Sequence, residues 1–195
     1  MSKKLSLFVA AGLVMAAGAT AFAHGGATGI VKERMDAMGD MGDVVKRLSA
    51  MMRGETAYDA DAVKAGAKTI RSHAGSTMTG LFPEGSAHPP SEAKPEIWSD
   101  WDAFTALANQ LETFAQGLEG AADNGLAMQG GMGGGSMMGS GGMMGGQGMM
   151  GSGSMMGGGG MMSAEHLAQM PADGVFNMLT QTCSVCHTRF RVEKN

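Results

Sequence analysis

The sequence predicts an all-α protein, an antiparallel four-helix bundle carrying a long disordered Met/Gly-rich loop before its last helix. Three observations carry that prediction. Four segments repeat apolar residues at spacings of three and four, the period of one helix face. Proline falls between these segments or at their first turn, never in their interiors. No stretch alternates apolar and polar residues as a half-buried strand would.

The first helix is expected over Ile30 to Met52. Arg34, Met38, Met41, Val45, Leu48 and Met52 form its inward stripe, and Arg53-Gly54 supplies a cation and a glycine at its end. The second should run from Asp59, a good capping residue, to Leu81, with Val63, Ala67, Ile70, Ala74 and Met78 inward and Pro83 as the stop. Glu84 to Lys94 contains Gly85, Ser86, Pro89 and Pro90 and reads as a loop. Pro95 suits the first turn of a third helix, whose stripe is Ile97, Trp101, Phe104, Ala108, Leu111, Ala115 and Leu118, ended by Asn124-Gly125. A short helical turn is expected at Ser163 to Gln169. The fourth helix starts near Pro171, with Phe176, Leu179, Cys183, Cys186 and Phe190 on one face. Short early connections between amphipathic helices favour antiparallel packing.

Residues 1–23 read as a secretory signal peptide: Lys3 and Lys4, then an apolar run from Leu5 to Ala17, then Ala21-Phe22-Ala23 at the cleavage site. The run is shorter than the ~20 residues a bilayer span needs. The mature chain, 24–195, is therefore expected to be one periplasmic domain without a membrane span. Losing two lysines and no acids leaves 12 basic against 18 acidic residues, a formal charge of −6. Such a balance argues against nucleic acid and favours redox partner proteins with basic docking patches.

The segment 128–162 interrupts that domain. Methionine pairs at 137/138, 143/144, 149/150, 155/156 and 161/162 keep a six-residue period among Gly and Ser. Six is no core-building period, and glycine at this density is costly to order. Its twelve methionines form a soft thioether set suited to Cu(I); a passive low-complexity expansion is the plainer reading.

The chemistry concentrates in Cys183-Ser184-Val185-Cys186-His187. Each thiol can add to a haem vinyl group, and the adjacent imidazole can ligate the iron. On a helix the two cysteines are i,i+3 neighbours and His187 is i+4 from Cys183, so all three can face one haem. The chain has two cysteines, too few for a zinc site, and no βαβ context for a thioredoxin-like pair. Met38 is the candidate sixth ligand, with Met35 and Met41 as substitutes if the helix is rotated. Arg34, one turn earlier, is a candidate propionate contact. His73, His88 and His166 read as solvated surface histidines, and Trp98 and Trp101 as core rather than an electron relay. His24, as a new N-terminus, could chelate copper but reads as a loose end.

These stretches resemble the class II cytochromes c, the cytochrome c-prime family. The similar segments are Arg34-Met35-Asp36-Ala37-Met38 with Gly42, Ala57-Tyr58-Asp59-Ala60, Leu81-Phe82-Pro83-Glu84-Gly85-Ser86, Lys94-Pro95-Glu96-Ile97-Trp98, and Cys183 to His187 with Phe190-Arg191. An arginine followed four residues later by methionine is similar to the low-spin, six-coordinate branch. The resemblance implies one covalent haem c, electron transport rather than enzyme activity, and a homodimer as a compatible state. A five-coordinate protein binding nitric oxide or other small gases, and a haem protein with Cu(I) on its Met-rich loop, stay open. The insert before the last helix departs from the family pattern.

Overall fold

A computed structural model describes residues 26–127 and 163–193. The expected signal peptide and the insert 128–162 lie outside the described residues. Helix α1, Gly29–Met52, ends as anticipated: Gly54 sits at φ +71 and donates to the Met51 carbonyl. Helix α2, Ala60–His73, begins on Asp59, whose carboxylate accepts from the Asp61 and Ala62 amides at 3.0 and 3.1 Å. This satisfies two of the amides that a helix start leaves without partners.

The expected second helix is broken. It stops at His73, and a short α3, Gly75–Gly80, follows. Gly75 adopts φ +57, a left-handed conformation that glycine enters without cost and that ends a helix. The expected third helix is broken as well, into α4, Glu96–Ser99, and α5, Trp101–Ala121. Asp100 leaves helical geometry at φ −133 and ψ 48 and pairs with Arg189 near the chain's end. The break turns Trp101 outward, to 38% exposure, correcting its place on the buried stripe. Ile97 and the rest of that stripe from Phe104 to Leu118 are buried as expected.

A 3₁₀ turn, Ala122–Asn124, follows α5. Helix α6, Ala164–Leu167, is the anticipated short turn, capped by the Ser163 hydroxyl. Helix α7, Ala172–Phe190, carries the cysteines. Among the described residues there is one isolated antiparallel bridge, Ala93 with Arg191, and no strand.

The result is a four-helix bundle of α1, α2 with α3, α4 with α5, and α7. Its core runs from Leu48 and Val63 through Ile70, Phe104 and Leu118 to Leu179. Close approaches are set by small residues: a Cβ on Gly66 would come within 2.9 Å of Val44 Cγ1, so α1 and α2 pack tightly there. The two ends flanking the insert are tied to each other. Asn124 donates to the Ala168 and Met170 carbonyls at 2.8 and 2.7 Å, and Ala172 N to Gly125 O at 2.9 Å.

Candidate functional site

Between α1 and α7 lies a cavity of about 280 Å³, slightly below the usual size of small-molecule pockets. Met38, Met41, Gly42 and Val45 of α1 form one wall, and Cys183, Cys186 and His187 of α7 another. Ile70, Met78, Leu107, Ala108 and Leu111 close the back. Helical spacing explains the juxtaposition: 38, 41, 42 and 45 share one face of α1, as 183, 186 and 187 share one face of α7. The cavity reaches the surface beside exposed Ser184 and His187, and Val185 is 49% exposed.

The lining is apolar even where its residues are not. Thr182 spends its hydroxyl on Met178 O at 3.1 Å, Ser184 on Thr180 O at 3.0 Å, and Thr180 on Phe176 O at 3.1 Å. Each bond returns to the residue's own helix. Thr180 and Thr182 went unremarked in the sequence; the three-residue step from Thr180 to Cys183 could have marked the first as a wall residue.

Burial pushes the Cys183 thiol above its ordinary pKa. Burial, with the neighbouring Cys183 adding, pushes Cys186 to about 11. Both are therefore protonated at neutral pH, the opposite of the lowered pKa that activates redox cysteines. His187 has an exposed edge, but the partial desolvation of its ring, and then the Arg191 cation, hold it below its ordinary value against an opposing pull from Glu92. Its ring is kept neutral, the form that ligates metal.

Met38, Cys183, Cys186 and His187 are thus brought together at one cavity. Arg34 is not. It is 4% exposed on the same helix, but its guanidinium lies 4.1 Å over the Phe82 ring and bonds to the loop between α3 and α4. Met41 also reaches the cavity, while Met35 is not among its lining residues. His73 is less solvated than expected, since its Nε2 sits 3.4 Å from Asp40 Oδ2. His88 and His166 are exposed as expected. Trp98 is half-buried and donates to Phe82 O at 2.9 Å.

The residues fit a haem. The walls are apolar, two thiols and a neutral imidazole share one side, and Gly42 adds no side chain to the α1 wall. Fold and site together define a c-type haem protein of the four-helix-bundle kind.

Comparison with known proteins agrees. The sequence profile of the Cytochrome C' family matches residues 29–133. Cytochrome c-556 of Agrobacterium fabrum is 38% identical over 92 residues, 47% of this chain and 62% of that protein's length. Cytochrome c' of Rhodopseudomonas palustris is 27% identical over 132 residues, 67% of this chain and 88% of its own. Among solved structures, cytochrome c' from Thermochromatium tepidum superposes with a TM-score of 0.56 at 20% identity, covering 84% of this chain and 95% of that one. The chain belongs to the cytochrome c' family, whose cofactor is covalently bound haem c. The profile match ends before α7 and does not cover Cys183 to His187.

Proposed function

We propose that this chain is an exported, periplasmic mono-haem cytochrome that carries electrons and catalyses no reaction itself. Cys183 and Cys186 would attach the haem as thioethers, and His187 and Met38 would hold its iron. The observation that carries this reading is that Met38, on α1, lines the cavity from the side facing Cys183, Cys186 and His187 on α7. Haem supplies a reversible one-electron couple. The protein's part would be to offer a neutral imidazole and a thioether to the iron, a pair that raises the potential and suits electron transfer. The apolar lining from Ile70 to Leu111 excludes water, and exposed Val185 and His187 leave one edge open to a redox partner.

Optical spectra of the purified protein test the reading. A low-spin iron that becomes high-spin in Met38→Ala, with a lower potential, supports it. A wild-type protein already high-spin and quick to bind carbon monoxide overturns it in favour of gas binding. A low-spin protein unaffected by Met38→Ala assigns the sixth position to another residue, Met41 first.

A further inference from the structure

The helices that carry Met38 and His187 face each other across the cavity that a haem would fill. A second connection exists outside it. Arg34 stands one turn before Met38 and donates from Nε to Leu81 O at 3.2 Å, from Nη1 to Ser91 Oγ at 2.9 Å, and from Nη2 to Ser86 Oγ at 2.8 Å and Ser86 O at 3.3 Å. Ser86 is itself buried. Ser91 Oγ also accepts from Ala93 N at 3.2 Å.

From there the chain pairs with the end of the haem helix. Lys94 N donates to Phe190 O at 2.9 Å and Val192 N to Glu92 O at 2.8 Å, while Arg191 N donates back to His187 O at 3.0 Å. A continuous hydrogen-bonded strap, residues 81–94, therefore runs from the turn that precedes Met38 to the turn that carries His187. A buried cation is costly unless its donors are met, and the planar fork of arginine meets several acceptors at once.

We infer that Arg34 is a positioning residue: by clamping the 81–94 strap it sets the distance between the two axial-ligand helices and holds Met38 on the iron. This deepens the proposed function and rests on its assignment of Met38. Arg34 is not among the residues that line the cavity; it acts through Ser86 and Ser91.

The test uses the full-length holoprotein in five forms: wild type, Arg34→Gln, Arg34→Lys, the double variant Ser86→Ala/Ser91→Ala, and Arg34→Gln combined with both serine changes. Spin state and carbon monoxide affinity are read beside helix content. Expected are a raised high-spin fraction and roughly tenfold tighter apparent carbon monoxide binding in Arg34→Gln, as for the loss of about 1.4 kcal/mol from the iron–thioether state. The serine pair should produce the same direction of change, and the triple variant little more than either. Arg34→Lys, lacking the fork, should not restore the low-spin spectrum. If the serine pair is silent while Arg34→Gln shifts only the potential, the guanidinium serves the haem directly and the strap idea is overturned. Should Arg34→Gln fail to fold, the serine pair alone decides, and an unchanged spectrum there overturns it. A high-spin wild type removes the Met38 assignment and the strap's role together, so the two failures are told apart.

Discussion

The Phe104 ring meets the Phe190 ring edge-on, 84° between planes and 5.5 Å between centroids, and so joins α5 to the last turn of α7. Phe104 also packs on Phe82 at 4.8 Å and lies 5.6 Å from Trp101. It is 2% exposed. Phe104→Ala should therefore cost about 3–5 kcal/mol of stability, the range for emptying a buried aromatic site. Denaturant unfolding of the holoprotein checks the figure; a loss under 1 kcal/mol would mean the site collapses around the smaller side chain.

Gly117 makes a different demand. A Cβ there would run into the Leu167 side chain, so α5 and α6 can touch only because residue 117 has none. Gly117→Ala should destabilise by about 1–3 kcal/mol despite alanine's better helix propensity. Gly39→Ala, on an exposed stretch of α1 where a Cβ meets nothing within 4 Å, should instead be neutral or stabilising. Thermal melts of both variants compare the two directly.

Covalent attachment has a simple chemical readout. With both thiols facing the cavity beside His187, acid–acetone extraction should leave the colour on the polypeptide. In the Cys183→Ala/Cys186→Ala variant any haem that remains should leave with the solvent. Colour extracted from the wild type would refute the c-type assignment.

The insert can be separated from the bundle. Asn124, Gly125 and Ala127 already bond to Ala168, Met170, Ala172 and Asp173, which closes the fold on both sides of it. Deleting Gly130 to Gly160 should therefore leave haem spectrum and helix content nearly unchanged. A Cu(I) competition titration on full-length and shortened protein then reads the metal question: tighter binding by the full chain supports a soft thioether site, and equal affinities leave a passive segment.

Local periodicity was enough to read the four helical segments, the Asp59 cap, the Gly54 stop and the Cys183–His187 face, because each depends on neighbours a few residues away. It also placed Met38 on the face of α1 that lines the cavity. Other features were decided by tertiary structure, for reasons of long-range contact. Gly75 and Asp100 interrupt helices that their own periodicity would continue, and the second break is held by an ion pair to Arg189, 89 residues on. That break alone exposes Trp101. Arg34 shares the Met38 face, where a haem contact was expected; the bonds its guanidinium makes to Leu81, Ser86 and Ser91 were not legible there. Spacing along a helix tells which way a side chain points, while the partner waiting there is brought by chain about fifty residues away, and only the folded bundle puts it in reach.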